Sequence, residues 1–289
     1  MIGKLTSPST IKYIMAKYDF KFSKGLGQNF LINEMVVNDI VEGAEVNEED
    51  CILEIGPGIG VMTYEMASRA KKVTAIEIDN FLLPVLDETL QDFDNIRIVN
   101  NDVLKVDLEA LIQEHFDGKA PKVVANLPYY ITTPIVMKLL EDELPISDIV
   151  VMVQKEVADR MMAVPKTKAY GALSVAVQYY SEPEIVTVVP PSSFMPQPKV
   201  ASSVIRLRVR PNQLELIDKS IFFNTVKDAF SKRRKTLLNC LSSGILKLPK
   251  DQLKIIFEQS GIDGGRRGET LSIDEFAALS NEIARSFKL

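Results

Sequence analysis

Five short runs of nearly unbroken aliphatic residues, separated by helix-length intervals, constrain this chain more than any other feature of it. They are Cys51-Ile52-Leu53-Glu54-Ile55, Val73-Thr74-Ala75-Ile76-Glu77, Ile96-Arg97-Ile98-Val99, Lys122-Val123-Val124-Ala125 and Ile149-Val150-Val151-Met152-Val153. A strand that is apolar on both faces must be covered on both faces, and a parallel sheet packed between helices meets that condition. The rhythm predicts an α/β, Rossmann-like sheet with helices on both sides. Later apolar runs at 172–180, 185–189 and 200–209 read as further strands of the same sheet. The stretch from Pro190 to Pro198 carries four prolines and reads as a stiffened loop, because proline cannot donate a ladder hydrogen bond. Beyond Pro211-Asn212 the pattern takes on helical period, in segments near 218–231, 233–243, 251–260 and 272–287. Ser272-Ile273-Asp274-Glu275 has the form of a capping box. Three regions follow: a basic arm over 1–30, the sheet domain over 31–211 and a small all-helical domain over 212–289.

A chain of 289 residues with 46% hydrophobic content can fill one large core or two ordinary ones. No run approaches the roughly 18 apolar residues of a membrane span, and Met1-Ile2-Gly3-Lys4-Leu5-Thr6 lacks the apolar stretch of a secretory signal, so the expected compartment is the cytoplasm. Cys51 and Cys240 lie far apart and are expected to be buried free thiols. With His115 the only histidine, a zinc centre is not expected, and no metal site is assigned. His115 sits at a helix end, where a solvated or capping role is expected.

The net charge of −5 argues against a protein that coats nucleic acid indiscriminately. The charge is uneven, however. Residues 1–30 carry five lysines against Asp19, Lys199 to Arg210 holds four cations and no acid, and Lys227 to Lys235 holds five cations against Asp228. Together they suggest a localised surface for an anionic polymer.

The chemistry is read from the ends of the strands. Glu54-Ile55-Gly56-Pro57-Gly58-Ile59-Gly60 turns from a strand into a helix whose first amides face a ligand. The turn is not the dinucleotide fingerprint, because the third glycine of that pattern would fall at Val61. Glu54, just ahead of the turn, suits a cofactor with a cationic amino group better than one with two phosphates. Glu77 ends the second strand, where a carboxylate can bind both hydroxyls of a ribose. Asp102 follows the third, placed to accept from an adenine amino group or to cap the next helix. The fourth strand ends in Asn126-Leu127-Pro128-Tyr129. The Asn126 amide oxygen and the Leu127 and Pro128 carbonyls can accept the two N–H bonds of an exocyclic amine, and Tyr129 offers a face for a base drawn out of its helix. An adenosyl cofactor beside an amine-binding motif implies methyl transfer to an amino group.

Gly27-Gln28-Asn29-Phe30-Leu31 ahead of the sheet and Ser193-Phe194-Met195-Pro196-Gln197-Pro198-Lys199-Val200 behind it complete a set of motifs. In these motifs nearly the whole chain resembles the KsgA/RsmA family of ribosomal RNA adenine dimethyltransferases. The resemblance implies S-adenosylmethionine as cofactor, held by Gln28, Asn29, Leu31, Gly56, Gly58, Glu77, Asp102 and Asn126. It implies Asn126, Leu127 and Pro128 around the target N6, with Tyr129 and Phe194 stacked on the two faces of the flipped adenine; a core aromatic under a proline loop is the plainer reading of Phe194. The implied substrate is a pair of adjacent adenines near the 3′ end of 16S rRNA in an immature 30S particle, each dimethylated at N6, with the protein acting as a monomer. Erm enzymes share these motifs and act on 23S rRNA. The segments Phe230 to Leu237 and Arg266-Arg267-Gly268-Glu269-Thr270-Leu271-Ser272 resemble the KsgA helical domain instead, although the glycines between Gly261 and Gly265 suggest a looser approach to that motif. Two other classes remain open: an enzyme of this fold acting on DNA or protein amines, and an assembly factor whose binding role dominates.

Overall fold

The computed structural model describes residues 3–23, 25–211 and 214–287; Lys24 and the Asn212 boundary lie outside the described residues. The chain divides into two compact units, residues 1–158 with 181–210, and residues 159–180 with 211–289.

The first unit is built on a seven-stranded sheet in the order β4-β3-β2-β5-β6-β9-β7. Its strands are β2 (Cys51–Ile55), β3 (Lys72–Glu77), β4 (Ile96–Asn100), β5 (Lys122–Asn126), β6 (Asp148–Gln154), β7 (Ser181–Val189) and β9 (Ser202–Val209). A separate two-stranded ladder pairs β1 (Phe30–Leu31) with β8 (Phe194–Met195). The five strands from β4 to β6 run parallel, and β9 and β7 are antiparallel additions at one side. Every residue of β2 is buried, as the unbroken aliphatic run requires.

The helices of this unit are α1 (Pro8–Lys17), α2 (Glu34–Gly43), α3 (Val61–Ala67), α4 (Leu83–Thr89), α5 (Leu108–Phe116) and α6 (Thr132–Glu141). Their starts are set by side chains that accept otherwise unpaired amides: Asn33 takes the Met35 N–H at 3.0 Å and Asp107 takes the Ala110 N–H at 3.0 Å. The segment before β1 packs onto the sheet unit. Ile11 and Ile14 of α1 are buried, and Phe20 stacks on Phe30 with ring centroids 5.9 Å apart.

Helix α7 (Lys155–Met162) spans the boundary between the units. The second unit comprises α8 (Ala172–Tyr180), α9 (Lys219–Phe230), α10 (Leu237–Ser243), α11 (Lys250–Ser260) and α12 (Ile273–Ser286). Aromatic pairs join these helices, Tyr179 with Phe222 at 5.3 Å and Phe230 with Phe276 at 5.8 Å. The capping box at Ser272 and Glu275 is formed, and Arg266 grips the same carboxylate with two nitrogens, at 2.5 and 3.0 Å. Arg266 is therefore a structural residue of this motif, bound also to the Thr270 hydroxyl and carbonyl.

Four expectations are corrected here. The run 172–180 is helix α8 of the second unit, not a strand of the sheet: seven of its nine residues are buried, and apolar residues on every side of a helix erase the 3.6-residue period. Strand β7 begins at Ser181, four residues earlier than its aliphatic run, because Pro183 is tolerated on this edge strand. Of the three glycines from Gly261 to Gly265, Gly264 does not loosen the approach to the Arg266 motif, since a Cβ there would lie 2.6 Å from the Phe257 ring, whereas one on Gly261 would meet no atom within 4 Å. His115 ends α5 as expected but is buried, not solvated; its Nδ1 lies 3.3 Å from the Thr74 hydroxyl, and burial holds the ring below its usual pKa. Cys51 and Cys240 are buried free thiols.

Candidate active site

In an open parallel sheet, ligands bind beyond the carboxyl ends of the strands where the winding reverses. Here that point lies between β2 and β5, which are neighbours in the sheet but not in the chain. The registers align their ends. Ile55 lies opposite both Ile76 and Ala125, and Glu77 lies opposite Asn100. Gly56, Glu77, Asp102 and Asn126 consequently line one crevice together with Gln28, Asn29, Leu31, Gly58, Leu127, Pro128 and Tyr129.

The glycine turn has a specific backbone requirement. Gly56, Gly58 and Gly60 have φ of +71°, +61° and +89°, in the left-handed region that other residues avoid. A Cβ on Gly56 would meet no atom within 4 Å, so the turn presents bare backbone to open space in the crevice. Glu77 is 4% exposed, and its two oxygens accept the Gly58 N–H at 3.2 Å and the Asp79 N–H at 2.8 Å. Burial raises its pKa, against the pull of those amides. Asp102 accepts the Leu104 N–H at 3.0 Å on one oxygen and has Lys105 Nζ 3.6 Å from the other, while the cap of α5 is Asp107. Of its two expected roles, the helix cap is thus excluded.

Glu54 departs from expectation. Strand alternation turns its side chain to the face covered by α3, where it is wholly buried, accepts a 2.6 Å hydrogen bond from Thr63 and does not line the crevice. Burial pushes its pKa up to about 8. A carboxyl so placed is neutral at pH 7 and offers no charge to a cationic cofactor.

At the end of β5 the groups expected to receive an amine differ in what they already bind. Asn126 Nδ2 donates to the Asn29 carbonyl at 3.0 Å, which leaves Oδ1 as its free acceptor. The Pro128 carbonyl already accepts from Ile131 N–H at 3.2 Å and the Thr132 hydroxyl at 3.1 Å. Of the two carbonyls proposed for the amine, Leu127 is the available one. Tyr129 is half-buried, its hydroxyl 2.6 Å from Ser202 Oγ, so its ring is tethered from beneath the crevice. Phe194 is not part of the lining. It is 1% exposed, paired through β8 with Leu31 and packed in the core that contains Phe20 and Phe30. The core reading describes Phe194 in this structure, and the stacking reading does not.

Tyr130 was missed. It is 60% exposed and lines the crevice beside Tyr129, and its ring lies 3.3 Å from where a Cβ on Gly27 would stand. The doubled aromatic at the end of the motif was the available signal.

The basic segments separate into two kinds. Arg206 is buried between Asp148 at 2.8 Å and Glu45 at 2.5 Å, Arg208 approaches Glu45 at 3.5 Å and Arg210 approaches Glu182 at 3.7 Å. The three arginines of the stretch from Lys199 to Arg210 thus each face an acid on a neighbouring element, whereas Lys199 is exposed without an acidic partner among the described residues. Lys4 and Lys17 are paired with Glu34 and Glu88. In the second unit Arg233 pairs with Glu269, whereas Arg234, Lys235 and Arg267 are exposed without an acidic partner among the described residues.

A sheet of this strand order, with a glycine turn, a buried carboxylate and an amide at the ends of its strands, has the architecture of a Rossmann-like methyltransferase. A family model described as ribosomal RNA adenine dimethylase matches residues 19–285, and the chain belongs to that family. Curated relatives named ribosomal RNA small subunit methyltransferase A are 56% identical in Alkaliphilus metalliredigens, covering 98% of this chain and 99% of the relative, and 55% identical in Clostridioides difficile, covering 98% of each. Among solved structures, a dimethyladenosine transferase from Plasmodium falciparum is similar at a TM-score of 0.77 and 25% identity, covering 89% of this chain and 98% of that one. The 23S rRNA methyltransferase ErmE is similar at a TM-score of 0.65 and 29% identity, covering 89% of this chain and 100% of that one. No helix is long and apolar enough to cross a membrane, and no group of metal-ligating side chains occurs, among the described residues.

Proposed function

We propose that this chain dimethylates N6 of two adjacent adenines in a hairpin near the 3′ end of 16S rRNA, acting in the cytoplasm as a monomer on an immature 30S particle. The observation that carries the reading is the fixed Asn126 amide. With Nδ2 held by the Asn29 carbonyl, Oδ1 and the Leu127 carbonyl form a pair of acceptors for the two N–H bonds of an exocyclic amine. The names of relatives more than half identical over nearly the whole chain favour the small subunit over the 23S substrate of ErmE.

The residues present fit S-adenosylmethionine. The bare backbone of Gly56 and Gly58, the Glu77 carboxylate, Asp102, and Asn29, Leu31 and Asn126 would hold it, with Gln28 contributing to the wall. When bound, it supplies an electrophilic methyl group. The protein's part is to orient the nucleophile. Hydrogen bonds from N6 to Asn126 Oδ1 and Leu127 O localise the nitrogen lone pair out of the ring plane, and positioning of this sort supplies several kcal/mol of a barrier. Neither acceptor is a base at neutral pH, so the proton shed by N6 passes to solvent. In the second round one N–H remains, and one acceptor suffices to hold it.

Tyr129 provides the aromatic face. Stacking of a base on an aromatic ring is worth ~1–3 kcal/mol, so Tyr129→Leu is expected to raise the KM for RNA about tenfold or more and leave cofactor affinity unchanged. Tyr129→Phe should keep most of the activity, because the hydroxyl reaches Ser202 rather than the crevice. A fall in cofactor affinity in Tyr129→Leu would show that the ring serves another purpose. Arg234, Lys235 and Arg267 grip phosphate in the second unit, giving RNA affinity that falls steeply with salt.

The reading is tested by methyl transfer into undermethylated small subunits, large-subunit RNA and duplex DNA, with nucleoside analysis of the products. N6,N6-dimethyladenosine confined to the small subunit is expected. Label in large-subunit RNA would indicate an Erm-like substrate, and label in DNA would indicate a different substrate class.

A further inference from the structure

Residues 26–31 line the crevice and meet three of its walls. Phe30 abuts the glycine turn, its ring 3.0 Å from where a Cβ on Gly58 would stand. Gly27 lies against Pro128 and Tyr130. Gln28 makes the third attachment. Its Nε2 donates to Asp79 Oδ2 at 2.7 Å and its Oε1 accepts the Ser23 N–H at 2.8 Å. Both ends of this amide are used within the protein, so neither is left to hold a ligand by the same bonds. Asp79 is itself immobilised. It is 7% exposed, its Oδ1 accepts the Phe81 N–H at 3.1 Å, and its own N–H donates to Glu77 at 2.8 Å.

One residue beyond Gln28, the Asn29 carbonyl receives Asn126 Nδ2, while the Asn29 side chain is turned back onto the Gly27 carbonyl at 3.0 Å. The Asn126 amide has two orientations related by a flip. In the flipped state its oxygen would oppose the Asn29 carbonyl oxygen, lone pair against lone pair, and its NH2 would face the place where an acceptor is required. The Asn29 carbonyl therefore selects the competent orientation, and the attachment at Gln28 fixes where that carbonyl stands.

We propose that Gln28 and Asp79 are a positioning pair for methyl transfer, docking the segment 26–31 so that Asn29 holds the Asn126 amide with Oδ1 toward the target amine. The role of the pair rests on the adenine reading above; its existence as a structural latch does not. The residue types fit the task. A neutral amide donates to a buried carboxylate in a charge-assisted bond and accepts the Ser23 N–H at its other end. Glutamate would set two carboxylates together, and lysine could not accept from Ser23.

The test uses the full chain. Gln28→Leu and Gln28→Glu are each expected to slow single-turnover methyl transfer at saturating methyl donor by about tenfold or more, as misplacement of a reacting group commonly does. The double variant Gln28→Glu with Asp79→Asn reverses the direction of the hydrogen bond while keeping the Ser23 and Phe81 contacts, and should return the rate to within about threefold of wild type. Solvent exchange of the Asn126 side-chain amide, followed by NMR on asparagine-labelled protein without RNA, should be slow in wild type and in the double variant and fast in Gln28→Leu. An unchanged rate and unchanged exchange in Gln28→Leu, or a double variant no better than Gln28→Glu alone, overturns the positioning role. Should the wild type methylate no RNA, the substrate reading falls, and the exchange result alone upholds or overturns the pair.

Discussion

Asn126→Ala is expected to leave a folded protein that transfers methyl groups about 100- to 1000-fold more slowly, the loss seen when one preorganised hydrogen-bonding group is removed from a reacting centre. The magnitude follows from what the side chain does. In the proposed arrangement Oδ1 is one of two acceptors for the amine, and the partner carbonyl of Leu127 would not by itself hold both N–H bonds. Pro128 cannot substitute, because its oxygen already accepts from Ile131 and Thr132. The fold should survive. Asn126 is the last residue of β5 and only half-buried, and the strand is anchored by Val123, Val124 and Ala125, each fully buried. Single-turnover transfer into undermethylated small subunits, beside a thermal melt, separates the two effects. Near-normal turnover in a folded Asn126→Ala protein would show that the amine is held elsewhere.

How far such a site can be read from sequence depends on whether its residues report on local or distant structure. Gly56, Glu77, Asp102 and Asn126 were legible as residues of one crevice because each stands at or just beyond the end of a strand whose aliphatic run is obvious, and parallel strands bring their carboxyl ends to one edge. Glu54 was misread because it lies inside β2 rather than beyond its end: its side chain packs under α3 against Thr63, whereas Gly56 stands in the turn that follows the strand. The pairing of Gln28 with Asp79 joins residues 51 positions apart and leaves no local trace, although Glu77-Ile78-Asp79 was itself legible as a strand-end acidic cluster. Arg206, Arg208 and Arg210 looked like a basic surface because a linear window omits cross-strand neighbours, whereas β9 sets Arg208 opposite Glu182 and Asp148. Helix α8 was hidden by burial on all sides, since periodicity is a signal only when one face meets water.

The same misreading of Glu54 leads to the second large effect, on stability. A carboxyl that titrates near pH 4.5 in the unfolded chain and at about 8 in the folded one binds a proton in the native state throughout the interval between. The native state then holds more protons than the unfolded state, so stability falls as pH rises, by about 1.4 kcal/mol per pH unit across that window. The contribution is complete below the unfolded value and lost once pH passes the folded one. Glu54→Gln replaces the neutral acid by a neutral amide of the same shape, which can still accept from Thr63. The two proteins should be equally stable near pH 4.5. They should diverge as pH rises, with Glu54→Gln the more stable by a few kcal/mol, on the order set by that slope, at pH 8. Glu77, whose carboxyl is also raised by burial, helps through its charge to raise that of Glu54, so the difference between the curves reports Glu54 together with that coupling. Urea melts at intervals from pH 4.5 to 8.5 would show the divergence, and parallel curves would mean that Glu54 is ionised in the native state. One oxygen of Glu54, Oε1, is buried without a hydrogen-bond partner, so neither the acid nor the amide is fully satisfied there. The substitution removes the titrating proton, and a persistent difference near pH 4.5 would be traced to that unpaired position rather than to the proton.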